Sequence, residues 1–249
     1  MVSLRPQGQQ AALRTQARQA GLAFVAVPPW RLCRRPAASA QASLAKAVQA
    51  DVVVFTSPAA VVAAASLGQV LAQAPARPWL AVGDGTRLAL QRAGHMQVQA
   101  PTRMDSEGLL ALDALQAVEG QRIGLVTAPG GRGLLTAQLQ QRGAEVCRAD
   151  VYERRALPLP TRALARLERS PAPWYLLLSS AEALQRTWAM LDQQQRQRWQ
   201  AQVRVIAASA RLLAQAHALG LAQGMLATGP GADALMAAVR TLAGQQRTD

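Results

Sequence analysis

The stretch from Ile123 to Arg155 most constrains the fold, because it has the pattern of a strand, a helix and a second strand. It begins with the apolar run Ile123–Val126, turns at a proline and two glycines, continues with leucines at helical spacing and ends that helix at Gly143. The alternating run Glu145–Tyr152 predicts a second strand that ends in a tyrosine. Such βαβ units place ligands at the first turn and at the strand ends.

The same pattern occurs at the N-terminus, at an offset of 122 residues (130 minus 8). Two glycines and an aromatic residue coincide without a gap: Gly8 with Gly130, Gly21 with Gly143, and Trp30 with Tyr152. Two polar turns coincide at nearly the same offset: Thr56-Ser57 with Ser179-Ser180, and Gly83–Thr86 with Ser209–Leu212. We interpret this as an internal duplication. The alternative is that unrelated α/β units share apolar strands and alanine-rich helices.

Strand, polar turn and helix alternate along the remaining chain. Apolar runs predict buried strands at Asp51–Phe55, Trp79–Val82, Trp174–Leu178 and Val203–Ala207. The predicted fold class is α/β, with two doubly wound parallel-sheet domains. Arg31–Ser43 and Ala156–Pro160 have the composition of linkers and follow matching positions of the repeat. They predict discontinuous domains, residues 1–35 with 153–249 and residues 36–152. A contiguous division near residue 121 stays open.

Composition excludes several classes of protein. No apolar run among the 249 residues reaches the roughly 18 needed to cross a bilayer. Arg5 and Pro6 interrupt any export signal, so we expect a cytoplasmic protein without membrane insertion. The two cysteines, Cys33 and Cys147, form neither a disulfide framework nor a metal-binding spacing.

The chain is strongly basic, with 27 Lys and Arg against 14 Asp and Glu, a net charge of +13. This balance fits a nucleic acid, an anionic small ligand or arginine-rich solvated helix faces. The arginines are scattered, and aromatic residues make up only 4% of the chain, which makes nucleic acid the least favoured of the three.

Polar residues follow four predicted strands and lead into helices: Thr56-Ser57, Gly83–Thr86, Ser179-Ser180 and Ser209. Helix N-termini with hydroxyl groups bind anions, although the same residues also serve as simple N-caps. The run from Val82 to Thr86 is not a dinucleotide fingerprint, because Leu88 stands where the third glycine is required. His95 and His217 have no neighbouring carboxylate pattern, so we expect surface or capping roles for them.

A series of motifs, in this order and spacing, resembles the uroporphyrinogen-III synthase family over nearly the whole chain. The motifs are Arg5-Pro6, FTSPAAV (Phe55–Val61), AVGDGTRLAL (Ala81–Leu90), SEGLL (Ser106–Leu110), GGRGLL (Gly130–Leu135), RGAEV with VYERR (Arg142–Arg155), LSSAEAL (Leu178–Leu184) and SARLLAQAHALG (Ser209–Gly220). The resemblance implies two α/β domains joined by a two-stranded connector, with an active site in the cleft between them. This chain departs from the family at Thr127-Ala128, where Arg-Gly is frequent, and at Gly133, where glutamate is common.

The resemblance also implies a reaction and its residues. The expected enzyme is a lyase without a cofactor, which closes hydroxymethylbilane, a linear tetrapyrrole with eight carboxylates, to uroporphyrinogen III with inversion of the last ring. Tyr152 matches the family tyrosine that assists departure of the hydroxyl group. The matching substrate-binding positions are Arg5, Ser57, Gly83, Thr86, Ser180 and Ser209.

Reactivity supports this assignment, because the pyrrole nitrogen drives loss of the hydroxyl and a weak acid such as tyrosine suffices. Folding the flexible substrate for attack is then a problem of orientation, for which many carboxylate contacts are suited. The alternative is a non-catalytic two-lobed ligand-binding or sensor module for a polyanionic small molecule. In either case we expect a monomer that binds no metal and no nucleic acid.

Overall fold

The computed structural model describes residues 1–35, 37–74, 77–130 and 133–245. Its strands are β1 (Val2–Ser3), β2 (Val25–Ala26), β3 (Trp30–Arg34), β4 (Val52–Phe55), β5 (Trp79–Ala81), β6 (Val98–Gln99), β7 (Arg122–Thr127), β8 (Glu145–Asp150), β9 (Tyr152–Ala156), β10 (Trp174–Leu178), β11 (Val203–Ala207) and β12 (Gly224–Leu226). Its helices are α1 (Ala11–Gln19), α2 (Ala37–Val48), α3 (Pro58–Ala65), α4 (Asp84–Arg92), α5 (Ser106–Leu110), α6 (Leu134–Gln141), α7 (Thr161–Glu168), α8 (Ala181–Met190), α9 (Gln193–Gln202), α10 (Ala210–His217) and α11 (Ala232–Gln245), with a short 3₁₀ turn at Asp113–Leu115.

The chain forms two compact units, and the first is discontinuous. Unit 1 comprises Met1–Arg31 and Arg155–Asp249, and unit 2 comprises Leu32–Arg154. The predicted boundaries, after residues 35 and 152, lie near the two places where the chain passes between the units. Strands β3 and β9, which include these places, pair in a two-stranded sheet.

Each unit contains a five-stranded parallel sheet, so the predicted α/β fold class is confirmed. The order is β12-β11-β10-β1-β2 in unit 1 and β6-β5-β4-β7-β8 in unit 2. The short strand β1 pairs with both β10 and β2, Val2 lying opposite Leu176 and Val25. The two orders coincide when β1 is matched with β7 and β10 with β4, as a duplicated unit requires.

The repeated glycines have the same backbone conformation in both units. Gly8 and Gly130 have φ values of 86° and 90°, and Gly21 and Gly143 have values of 67° and 83°. A positive φ is strained for residues with a Cβ, which explains why glycine occupies both copies of each turn.

Helices cover both faces of the unit 2 sheet, which explains why β4 is apolar at all four positions, VVVF. On one face, α2, α3 and α4 pack against Phe55 and Trp79. On the other face, α5 and α6 contribute Leu109 and Leu139 to a second apolar cluster. Helix α2 approaches β7 closely at Gly124, where a Cβ would lie 1.9 Å from the carbonyl oxygen of Ala47.

The interpretation of Arg31–Ser43 as a linker is wrong. The segment contributes to strand β3 and to helix α2, with only Pro36 outside the described residues. Its proline and serine residues suggested a linker, but alanine has the highest helix propensity. The helix buries Ala40, Leu44 and Ala47 in the core, so packing stabilises it.

The run Glu145–Tyr152 is not one strand, which corrects a second prediction. Strand β8 ends at Asp150, and Tyr152 begins β9, which belongs to a different sheet. Alternation of polar and apolar residues continues through Val151, so the pattern alone does not reveal the change of sheet. None of the helices formed by the described residues is both long and apolar enough to span a membrane.

Candidate functional site

Two threonine hydroxyls meet at the carboxyl ends of neighbouring strands in unit 2. Thr56 follows β4 and Thr127 ends β7, and these strands are parallel, with Phe55 opposite Val126. Because of this register the next residues lie side by side, and Thr56 Oγ1 donates a hydrogen bond to Thr127 Oγ1 at 2.7 Å. The edge of the sheet thus presents a polar surface built from adjacent strand ends.

Ser57 and Tyr152 form a second hydroxyl pair beside the first. Ser57 is the N-cap of α3, and its Oγ accepts a hydrogen bond from the Ala60 amide at 3.1 Å. The same Oγ lies 3.1 Å from the Tyr152 hydroxyl, and either group can be the donor. Tyr152 is buried, with 5% of its surface exposed, so its ring is held by packing. The two sequence-predicted residues Ser57 and Tyr152 are therefore in direct contact.

These hydroxyls line a pocket with a volume of about 290 Å³ that lies entirely within unit 2. The apolar part of the pocket wall is formed by Leu109, Leu125 and Leu135. Polar groups come from the two hydroxyl pairs and from the arginines Arg148 and Arg154. An apolar wall with a few converging polar groups is typical of a small-molecule site.

Arg148 is held by two partners on the wall of this pocket. Its Nε donates to Asp150 Oδ1 at 3.0 Å, and its Nη2 donates to the carbonyl oxygen of Ala128 at 2.8 Å. The Arg148 and Asp150 side chains lie on one face of β8, because they are two residues apart. Their partners across the sheet are Leu125 and Thr127 of β7, so all four residues lie on the same face.

Two other predicted residues of unit 2, Gly83 and Thr86, do not line this pocket, although the preceding Val82 does. Gly83 is the N-cap of α4 and is buried against Met104, whose Cβ would lie 2.9 Å from a Cβ at position 83. Thr86 lies in the first turn of α4 and is only 2% exposed. Both residues therefore build the turn instead of presenting a side chain to the pocket.

The three predicted residues of unit 1 lie at the carboxyl edge of their own sheet. Ser180 caps α8 after β10, and Ser209 caps α10 after β11, with their hydroxyls accepting from the Ala183 and Leu212 amides. Arg5 follows β1, and its Nη2 donates to the Pro230 carbonyl oxygen at 2.6 Å. Burial lowers the pKa of Arg5 from its ordinary value.

Arg148 and Arg154 line the pocket, although neither was predicted from the sequence as a site residue. Arg148 lies within an alternating run that reads as an edge strand, and nothing in the run distinguishes it from the many other arginines. The one available signal was the aspartate two residues later, which a strand places beside it on the same face.

His95 is half-buried just after the end of α4, and it makes a packing contact that the expected surface or capping role did not include. Its ring stacks on the buried indole of Trp79, with centroids 3.8 Å apart and an interplanar angle of 19°. Burial lowers the pKa of His95. His217 ends α10 and is exposed. Within the described ranges, no three His, Cys, Asp or Glu residues lie close enough together to hold a metal ion.

Comparison with known proteins gives matches over most of the chain. The family model for uroporphyrinogen-III synthase HemD matches residues 11–237. The uroporphyrinogen-III synthase of Salmonella typhimurium strain LT2 is 33% identical over 163 residues, which are 65% of this chain and 66% of that protein. The uroporphyrinogen-III synthase of Escherichia coli K12 is 32% identical, also over 163 residues that make up 65% of this chain and 66% of that protein.

Among solved structures, a mutant uroporphyrinogen III synthase from the extremely thermophilic bacterium Thermus thermophilus has a TM-score of 0.70 at 18% identity, covering 100% of this chain and 99% of that one. At this level of identity the likeness demonstrates the shared fold.

Proposed function

Since the chain belongs to the uroporphyrinogen-III synthase family, we propose that it closes hydroxymethylbilane to uroporphyrinogen III with loss of water and inversion of the terminal ring. The observation that carries this proposal is the family match over residues 11–237. The enzyme is then a lyase of tetrapyrrole and haem biosynthesis, acting in the cytoplasm as a monomer and without a cofactor.

Tyr152 is the proposed acid. The pyrrole nitrogen pushes electrons toward the hydroxymethyl carbon, the carbon–oxygen bond breaks, and the departing oxygen takes the Tyr152 proton and leaves as water. Closure of the macrocycle later releases a proton from a ring carbon, which restores the tyrosine. Net loss of one water therefore leaves the protein unchanged. A positioned acid of this kind contributes about 10²–10⁴-fold to a rate.

Ser57 orients that proton. Its oxygen already accepts from the Ala60 amide, and we assign its own proton to the Tyr152 oxygen, 3.1 Å away. Because Ser57 is the donor in this hydrogen bond, the Tyr152 proton is not used by Ser57 and can be donated to the substrate hydroxyl. A chain of donors from amide to serine to tyrosine polarises each successive O–H bond and strengthens the acid.

The remaining predicted residues have supporting roles in the proposal. Arg5, Ser180 and Ser209 of unit 1 are assigned to substrate carboxylates, with the amides that begin α8 and α10. Gly83 and Thr86 are assigned to the shape of the turn that opens α4. The excess of arginine steers an anionic substrate toward the protein.

The test is to incubate the purified protein with hydroxymethylbilane and to separate the uroporphyrinogen isomers. We expect isomer III. A non-catalytic sensor module would instead bind the substrate and leave only the isomer that closes without inversion. Family membership disfavours that alternative, and nucleic acid binding is disfavoured for the same reason.

A further inference from the structure

We propose that the unit 2 pocket binds the single pyrrole ring that bears the hydroxymethyl group, and that Arg148 determines specificity by pairing with a carboxylate side chain of that ring. This inference rests on the proposed function and assigns one part of the substrate to one site. It makes Arg148 a binding residue for the ring from which the hydroxyl group leaves, at the opposite end of the substrate from the ring that is inverted.

The volume of the pocket matches a single pyrrole ring of the substrate. Its volume of about 290 Å³ is at the lower limit of ligand pockets, which span roughly 300–1,000 Å³. A whole tetrapyrrole with eight carboxylates does not fit into such a space, whereas one substituted ring does. The leucine side chains of the wall offer an apolar surface for the ring, and Tyr152 lies at the same pocket, where the hydroxymethyl group must be.

The hydrogen bonds of Arg148 fix its guanidinium group and leave N–H groups available to bind a carboxylate. Its Nε and Nη2 are occupied by Asp150 and by the Ala128 carbonyl, as described above. Its Nη1 makes no hydrogen bond to any residue within the described ranges, so two N–H groups remain for a ligand. The guanidinium is thus fixed in orientation before the ligand binds, which reduces the entropy lost on binding.

The negative charge of Asp150 does not prevent Arg148 from binding a ligand carboxylate. The Arg148 and Asp150 side chains keep 33% and 25% exposure, so solvent screens their attraction. Arg154, which lines the same pocket, adds a second positive charge. An arginine that pairs with a ligand carboxylate through charge-assisted hydrogen bonds gives both affinity and a defined ring orientation.

The chain offers a matched control for Arg148. Arg87 of α4 makes the same pair with an aspartate, its Nε donating to Asp84 Oδ1 at 3.0 Å, and its side chain is 34% exposed. Arg87 does not line the pocket. The variants Arg148→Gln and Arg87→Gln therefore each remove one positive charge and one arginine–aspartate pair, but only Arg148→Gln changes the pocket, where it also removes the hydrogen bond to the Ala128 carbonyl oxygen.

The experiment compares both variants on two substrates, hydroxymethylbilane and an analogue whose hydroxymethyl-bearing ring carries ethyl groups instead of carboxylate side chains. We expect Arg148→Gln to raise KM for hydroxymethylbilane about 10- to 100-fold and to leave KM for the analogue nearly unchanged. Arg87→Gln should change neither value. Both variants should shift Tm by less than about 4 °C, since exposed ion pairs contribute little to stability.

Equal losses on the two substrates, or no loss with Arg148→Gln, would overturn the assignment. A binding measurement separates this outcome from failure of the proposed function. A monopyrrole with two carboxylate side chains is titrated into the wild-type protein and into Arg148→Gln, with NMR shifts as the readout. Weakened binding to Arg148→Gln supports the subsite whether or not the wild-type protein forms isomer III, and equal binding contradicts it.

Discussion

Replacing Tyr152 with Phe removes one hydroxyl and keeps the ring that packs in the core cluster of unit 2. We expect kcat to fall about 100-fold, because the proton donor acts only as the carbon–oxygen bond breaks. This loss corresponds to roughly 2.7 kcal/mol of transition-state stabilisation. KM should stay near its original value, since groups other than the Tyr152 hydroxyl bind the substrate carboxylates.

The same substitution has a small and separate effect on stability. It breaks the 3.1 Å hydrogen bond to Ser57, which contributes about 1 kcal/mol in a typical case. For a chain of this size, such a change lowers Tm by about 2–4 °C. Measuring kcat and Tm together distinguishes a lost acid from a damaged fold.

Tyr175 of β10 provides the control, because it is the only other tyrosine in the chain and is also buried, at 7% exposure. Tyr175→Phe removes a hydroxyl from unit 1 and should leave kcat unchanged. Full kcat in the Tyr152→Phe enzyme would refute the acid role and leave substrate orientation as the source of catalysis. A rise in KM with unchanged kcat would instead identify Tyr152 as a binding residue.

Three further outcomes are expected. Gly124→Ala should destabilise the protein by about 3 kcal/mol in chemical denaturation, because its Cβ would lie 1.9 Å from the Ala47 carbonyl oxygen. Gly244→Ala should be neutral or stabilising, because an added Cβ there would meet no atom within 4 Å outside its own stretch of helix. The pKa of His95 is lowered by burial beside Trp79, so the unfolded chain binds the proton first as pH falls. The contribution of His95 to stability should be constant above about pH 6.5 and decrease as pH falls below it, and His95→Gln should flatten this part of the pH dependence in thermal melts. Raising ionic strength should increase KM more than it lowers kcat if arginines steer the substrate, and a salt-independent KM would contradict steering.

Helix α9 illustrates a limit of prediction from sequence. Its residues QQQRQRWQAQ have no apolar stripe, so no helix was predicted there. The structure forms the helix with a capping box between Asp192 and Gln195, and one side chain, Trp199, anchors it in the core. The cap was visible in the sequence, but without periodicity it gave no reason to expect burial.

Local sequence pattern was enough to predict the alternation of apolar strands and polar turns, and with it the parallel α/β class and the position of Ser57 at a strand end. These features depend on residues that are close in the chain, where periodicity and capping preferences act. The contact of Tyr152 with Ser57 and the position of Arg148 opposite Leu125 in the sheet became visible only in the folded structure. Those contacts join residues from distant elements, and they depend on strand order and register, which no local pattern specifies.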